Sequence, residues 1–288
     1  LGVELPLAGP AIVAALRVAT VSTISLTTVG AVLGVRSLGW LFTDGFERGI
    51  WPEIIAGVGL TALTALVVDL LIVAGGRGTR MGGPQPKQFL ELAGRPVLMH
   101  TLEAFDRWDA SARLIVVLPE DQIDTWKRLC EAHAFGRIHR VVAGGETRFH
   151  SVRNGLGAVA SNGLIAVHDG VRPLVAPSVI AACFAAAADG GAAVPVVPVV
   201  ESVREVDADG GSRPVDRTRL RVVQTPQVFR ADVLRAAYCL PYDPRFTDDA
   251  SVVEASGVAV RLVPGNRENI KLTTPMDLLL AEQLMRRE

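Results

Sequence analysis

The sequence predicts an α/β fold, a mostly parallel sheet covered by helices, preceded by an apolar helical segment. Three observations carry this. From about residue 67 onward, short β-branched runs alternate with helical stretches, the pattern of strand–helix–strand units. The first of these strands runs into a glycine-rich turn, and folds of this class bind ligands at the carboxyl ends of their strands. Charge is also uneven, with 7 charged side chains in residues 1–66 and 52 in the remaining 222. A chain of 288 residues exceeds one average domain, so two folding units are expected, 1–66 and 67–288.

Composition narrows the function. An apolar fraction of 49% excludes a disordered chain. A net charge of −1 argues against a nucleic-acid binder, which needs clustered Lys and Arg. Cys130, Cys183 and Cys239 lie 53 and 56 residues apart, a spacing that suits neither a disulfide framework nor a zinc site and that fits a reducing compartment.

The first unit holds two uncharged runs, Val18–Val35 with 18 residues and Ile54–Val68 with 15, each just short of a bilayer span of about 20. Trp40 and Trp51 flank the loop between them, as interfacial aromatics do. A secretory signal fits poorly, because the runs are too long and too far in. Membrane association through residues 1–66 is therefore expected, against a soluble helical hairpin packed with Ala, Gly and Leu. The chain opens on Leu1 rather than Met, so a truncated start is expected too. Leu5-Pro6-Leu7-Ala8, Arg17-Val18-Ala19-Thr20 and Gly30-Ala31-Val32-Leu33-Gly34 resemble the C-terminal end of an ABC-transporter permease of the glycine betaine/choline class, over about residues 4–72. The glycine-rich turn usual after Gly34 is replaced by Val35-Arg36-Ser37-Leu38-Gly39, and no ATPase motif follows.

In the second unit Val67–Val73 reads as the first buried strand, which leaves Ile54–Leu66 too short to cross a membrane unaided. Leu114–Leu118, Leu164–Val167 and Ala192–Val197 read as further strands. Thr101–Asp106, Asp124–Ala132, Phe149–Val159 and Pro177–Ala188 read as helices between them. Asn269–Leu272 is expected to be a short strand with Lys271 as one inward or ligand-facing cation. Thr274-Pro275-Met276-Asp277 opens the last helix with a capping box and an early proline. Thr247-Asp248-Asp249-Ala250-Ser251 is another helix start, its acids read as caps rather than metal ligands.

The turn after the first strand is Ala74-Gly75-Gly76-Arg77-Gly78-Thr79-Arg80-Met81, followed by Pro86-Lys87-Gln88. It lacks the Gly-Lys-Ser/Thr of a Walker loop and the third glycine of a dinucleotide fingerprint. What remains is a run of backbone N–H groups with nearby cations, suited to a polyphosphate. His168-Asp169-Gly170-Val171-Arg172-Pro173 directly follows a strand. There Asp169 is placed to hold Mg²⁺ or a ribose hydroxyl and Arg172 to meet an anion, although Asp-Gly alone also makes an ordinary turn. Gly144-Gly145-Glu146-Thr147-Arg148 with Ser151 is a second candidate anion turn.

These blocks, with Gln224-Thr225-Pro226-Gln227, Thr247–Ser251 and Asn269-Ile270-Lys271, resemble the 2-C-methyl-D-erythritol 4-phosphate cytidylyltransferase family over about residues 67–287. The resemblance implies a three-layer Rossmann-like nucleotidyltransferase sheet with a protruding dimerisation arm at about 199–221, and hence a homodimer. It implies transfer of the cytidylyl group from CTP to methylerythritol 4-phosphate with release of pyrophosphate, aided by Mg²⁺ or another divalent cation. Carried over residue by residue, Ala74, Gly75, Gly76 and Gly78 wrap the triphosphate. Arg80 and Lys87 stabilise the transition state, while Gly144 and Ser151 read the cytosine. Asp169 and Gly170 lie near the ribose and metal, with Asp169 the metal ligand. Arg217 and Lys271 position the methylerythritol phosphate, alongside Arg172, Ser202 and Thr225. The catalytic domain is expected in the cytoplasm.

This chain departs from the family pattern in three places. Glu201-Ser202-Val203-Arg204 stands for Asp-Thr-x-Lys, Ala74-Gly75-Gly76 for Ala-Ala-Gly, and Gly170-Val171 for two alanines. Rival readings are a nucleotidyltransferase for another alcohol phosphate such as ribitol 5-phosphate, a membrane-transport component with a nucleotide-binding domain, and an accidental joining of neighbouring coding sequences.

Overall fold

The computed structural model describes residues 44, 46–56, 68–74, 85–160 and 162–286. Gly75, Gly76, Gly78, Arg80, the run Val18–Val35, Trp40 and most of Ile54–Val68 lie outside the described residues, so the permease-like and phosphate-loop expectations on them do too. The chain divides into two units, 1–68 and 69–288. In the first, residues 46–48 and 51–56 are helical, and Arg48 pairs with Asp44 at 2.9 Å. Among the described residues no helix is long and apolar enough to cross a membrane.

Val68–Val73 is a strand, β1, whose last five residues are buried. It is followed by the short pair β2 (Glu91–Leu92) and β3 (Arg95–Pro96), helix α1 (Val97–Trp108), β4 (Arg113–Leu118), α2 (Ile123–Ala132) and β5 (His139–Ala143). Then come α3 (Arg148–Leu156), β6 (Leu164–Asp169), α4 (Pro177–Gly190) and β7 (Ala192–Pro198). The hairpin β8 (Val203–Val206) and β9 (Ser212–Val215) leads to β10 (Arg221–Val223) and β11 (Gln227–Arg230). Helices α5 (Ala231–Ala237) and α6 (Asp249–Ala255), strand β12 (Arg261–Pro264) and helix α7 (Pro275–Met285) complete the unit.

The main sheet has the order β10-β7-β11-β6-β1-β4-β5, with β12 also on β7. β1 pairs parallel with β4 and β4 with β5, whereas β11 is antiparallel to both β6 and β7. Leu71, Val73, Ile115, Val117, Ile165 and Val167 form one face of the core with Phe149 and Val152 of α3. Each such fully buried side chain contributes about 1.5–3 kcal/mol. The helix starts follow the local chemistry: Asp248 and Thr274 each close a capping box, and proline opens α7.

Asn269–Leu272 is not a strand. Its main chain is bonded elsewhere: Arg172 Nη1 donates to the Asn269 carbonyl at 2.8 Å and the Leu272 amide to the Val171 carbonyl at 3.0 Å. Sequence reading passes over β5 and β11, because both carry charged or amide side chains in short segments. Within the expected arm, β8 and β9 pair with each other through four registered residue pairs and are largely exposed.

Candidate active site

Backbone bonds bring three strand ends together. The Ala74 amide donates to Val117 (2.9 Å), the Gly144 amide to Leu118 (2.7 Å) and the Gly170 amide to Val73 (3.0 Å). This places residues 74, 144 and 170 along the carboxyl edge of β1, β5 and β6, with the end of β4 between the first two, where ligands bind in folds of this class. A pocket of about 220 Å³ opens there, lined by Ala74, Lys87, Gln88, Gly145, Glu146, Thr147, Arg148, Ser151, Asp169 and Lys271, with Val73 and Val171.

Asp169 is the centre of charge, its side chain only 7% exposed. Oδ1 accepts from Arg148 Nη1 at 2.8 Å, while Oδ2 accepts from Arg172 Nε at 3.1 Å and meets Lys271 Nζ at 3.0 Å. Burial alone would raise its pKa, but attraction to Arg148, Lys271 and Arg172 outweighs that and holds the carboxyl well below the usual range. It is therefore a carboxylate at any working pH.

Arg148 joins this centre to a second buried acid. Its Nη2 donates to Asp249 Oδ2 at 2.6 Å, and Tyr238 donates its hydroxyl to Asp249 Oδ1 at 2.6 Å. Burial would lower the Arg148 pKa, but Asp249 and Asp169 raise it, so the guanidinium stays charged.

Behind Asp169 lies a chain of directed hydrogen bonds. His168 Nε2 faces the Arg172 carbonyl at 3.0 Å, an acceptor only, so this nitrogen carries the proton. Nδ1 then accepts from the Thr225 hydroxyl at 3.0 Å, and Thr225 Oγ1 accepts from the Asp169 amide at 3.1 Å. Burial pushes His168 down to about 3, keeping the ring neutral as this arrangement requires.

The turn 144–147 depends on its glycines. A Cβ on Gly145 would lie 2.5 Å from the Cβ of His150, and one on Gly144 would lie 3.0 Å from Ser151 Oγ. That close approach lets the Gly145 amide donate to Ser151 Oγ at 3.1 Å. Lys87 begins a turn of 3-10 helix, Lys87–Phe89. The turn is anchored by Gln88, which donates to Gln122 at 2.6 Å, and by Phe89 stacked on Trp126 at 6.1 Å.

Of the expected site residues, Ala74, Lys87, Ser151, Asp169 and Lys271 line the pocket. Gly144, Gly170 and Arg172 stand directly behind it, held by the bonds above. Thr225 does not line it, because its hydroxyl is committed to Asp169 and His168. Arg217 and Ser202 are exposed in the arm region and do not line it either, with Arg217 donating to the Val200 carbonyl. Gly75, Gly76, Gly78 and Arg80 lie outside the described residues.

Sequence reading misses the roles of Arg148, Asp249, Tyr238 and His168 in the network. Arg148 is visible as the cation of the Gly144–Arg148 turn. Nothing local marks Asp249 as its partner, since the two lie 101 residues apart.

Among the described residues no group of three His, Cys, Asp or Glu side chains could hold a metal ion. Asp169 has four lone-pair positions and three are taken by cations, which leaves one oxygen site. A Mg²⁺ ion held mainly by substrate phosphates and water would need no more than that one position from the protein.

The family model described as "IspD: 2-C-methyl-D-erythritol 4-phosphate cytidylyltransferase" matches residues 68–287. A 2-C-methyl-D-erythritol 4-phosphate cytidylyltransferase from Bacteroides thetaiotaomicron is 56% identical over 217 residues, 75% of this chain and 99% of that protein. One from Frankia casuarinae is 45% identical over 223 residues, 76% of this chain and 82% of that protein. The crystal structure of the enzyme of that name from Thermus thermophilus is similar with a TM-score of 0.62 at 36% identity, covering 76% of this chain and 98% of that one. The 4-diphosphocytidyl-2C-methyl-D-erythritol synthase from Anaerococcus prevotii gives a TM-score of 0.66 at 27% identity, covering 77% of this chain and 100% of that one. A family match over most of the chain, with a pocket built from the motifs that singled the family out, places this protein: it belongs to the 2-C-methyl-D-erythritol 4-phosphate cytidylyltransferase family, nucleotidyltransferases of isoprenoid biosynthesis.

Proposed function

We propose that the pocket centred on Asp169 transfers the cytidylyl group of CTP to 2-C-methyl-D-erythritol 4-phosphate, giving 4-diphosphocytidyl-2-C-methyl-D-erythritol and pyrophosphate. The single observation that carries this is one buried carboxylate gathering three cations, Arg148, Arg172 and Lys271, beside Lys87 in the same pocket. A phosphate oxygen of the alcohol phosphate attacks the α-phosphorus of CTP, and the bond to the bridging oxygen of pyrophosphate breaks. No protein nucleophile is needed. The task is to hold two highly charged reactants in line and to neutralise the charge of the transition state.

Lys87 and Arg80 neutralise the triphosphate, and the backbone of Ala74, Gly75, Gly76 and Gly78 wraps it. Gly144, Gly145 and Ser151 frame the base. Lys271 and Arg172, held by Asp169, position the phosphate of the alcohol. Asp169 would hold a Mg²⁺ ion through the one lone-pair position left on Oδ1, and the ion when bound would supply further neutralisation of the phosphates.

Arg217 and Ser202 belong to an arm exposed in a single chain, which supports a homodimer in which the arm brings them to the partner's pocket. Residues 67–288 form the catalytic domain, expected in the cytoplasm. Membrane association of the apolar, permease-like residues 1–66 is a separate proposal, supported by the uncharged run Val18–Val35. Carbonate-resistant association of the full chain with membranes tests it, and extraction by carbonate refutes it.

The substrate is tested by measuring pyrophosphate release from CTP with Mg²⁺ and either methylerythritol 4-phosphate or ribitol 5-phosphate. Turnover with the first substrate is expected. Turnover with ribitol 5-phosphate alone overturns the assignment.

A further inference from the structure

We propose that Asp249 and Tyr238 are positioning residues for this reaction, which lock Arg148 in the geometry that fixes the Asp169 carboxylate. The proposal deepens the reading of the Asp169 pocket and rests on it. Asp249 is fully buried and Tyr238 nearly so, and neither lines the pocket. A buried carboxylate is costly unless it is paired and hydrogen-bonded, so one that persists needs a compensating role.

Helix capping is not that role. The preceding residue, Asp248, caps α6 by accepting from the Ser251 amide at 2.9 Å and closing the capping box. Asp249 instead spends one oxygen on the Tyr238 hydroxyl and the other on Arg148 Nη2, both at 2.6 Å. The other terminal nitrogen of Arg148 holds Asp169 at 2.8 Å. One rigid guanidinium thus spans two carboxylates, a geometry that lysine cannot reproduce. Phe149, the next residue after Arg148, stacks on the Tyr238 ring at 4.8 Å, so α3 and the Tyr238–Asp249 pair keep a fixed register.

The consequence is division of labour among the cations. Arg148 is committed to two protein carboxylates and orients Asp169, while Lys271 and Arg172 share the oxygen of Asp169 on the other side. Without the charge of Asp249, Arg148 is free to turn onto Asp169 alone or onto a nucleotide phosphate. Asp169 then loses its orientation, although the pocket becomes more positive. Turnover should fall without a matching loss of CTP binding.

The test is steady-state kinetics of the full chain and of Asp249→Asn, Arg148→Lys, Tyr238→Phe and the double variant Asp249→Asn/Arg148→Lys, with folded fraction measured by circular dichroism. Asp249→Asn should lower kcat by about ten- to a hundredfold, as loss of a charge-assisted hydrogen bond implies, with KM for CTP unchanged or lower. The double variant should be no worse than the poorer single variant by more than about twofold, because residues acting as one unit are not additive. A kcat per folded molecule within about twofold of wild type, or independent multiplicative losses, would overturn the proposal. Should Asp249→Asn fail to fold, Tyr238→Phe keeps the ring stacking and replaces it. A kcat loss that vanishes in the Arg148→Lys background supports the proposal, and an equal loss in both backgrounds overturns it. Wild-type turnover in the same assay separates a failure here from a failure of the reaction assignment.

Discussion

Lys271 Nζ lies 3.0 Å from Oδ2 of Asp169, the oxygen that also accepts from Arg172 Nε at 3.1 Å. One buried carboxylate oxygen therefore holds two cations from separate segments of the chain. A substrate phosphate offers more oxygens and more charge than Asp169, so these cations can engage it while remaining aligned by the carboxylate. Pre-aligned cations of this kind need no reorganisation at the moment of reaction.

Lys271→Met should keep the fold, since the lysine side chain is 42% exposed, and should lower kcat/KM for the alcohol phosphate by about a hundredfold or more. Lys271→Arg should recover part of the loss. Kinetics at saturating CTP check this, and a variant with unchanged kcat/KM would contradict the role given to Lys271.

Gly145→Ala should be poorly tolerated. The added methyl would lie 2.5 Å from His150 Cβ and 3.0 Å from the His150 carbonyl carbon, and backbone of α3 cannot move aside cheaply. Overpacking of this kind costs about 1–3 kcal/mol. The shift would also break the Gly145–Ser151 bond, so KM for CTP should rise together with the loss of stability seen in urea denaturation.

Four strands of the main sheet, β1, β4, β6 and β7, are legible in the sequence because their signals are local. Leu114–Leu118 is a β-branched apolar run, and Asp169 closes the apolar strand β6. Lys271 is found as well, although its segment is not the strand expected, since the motif Asn269-Ile270-Lys271 survives when backbone bonding does not. The acids of Thr247–Ser251 read alike as caps, which suits Asp248 and fails for Asp249. Their local sequence is the same, and only burial against Arg148 separates them. Antiparallel β11 escapes notice because its four residues, Gln227–Arg230, begin and end on polar side chains. It is a strand because β6 and β7 lie on either side to accept it.

His168 makes stability depend on pH. Its native pKa of about 3 lies below the ordinary unfolded value of about 6.5, so between these limits the unfolded chain binds a proton that the native state refuses. The stabilisation is fully present above about pH 6.5 and is lost as pH falls toward 3, with a slope of up to about 1.4 kcal/mol per pH unit. His100, lowered chiefly by burial, acts in the same direction. Urea denaturation of the metal-free chain between pH 7.5 and 5 should show this slope, and His168→Gln should flatten it. Parallel curves for the two proteins would refute the assignment.

The thiols should react in a fixed order. Cys239 is exposed, whereas burial pushes Cys130 up to about 11 and the fully enclosed Cys183 up to about 12. Since the thiolate is the reactive form, an aromatic disulfide reagent at pH 8 should modify Cys239 fast, Cys130 slowly and Cys183 only in denaturant. Rapid modification of Cys183 in the native protein would mean that α4 does not pack as described.

The most direct measurement is pyrophosphate release by the full chain and by Asp169→Asn, side by side, with CTP, Mg²⁺ and methylerythritol 4-phosphate. If Asp169 organises the cations of the site, the wild-type chain turns over and the variant, still folded, loses kcat by about a hundredfold or more. A folded Asp169→Asn variant with near wild-type kcat would contradict the central role of that carboxylate.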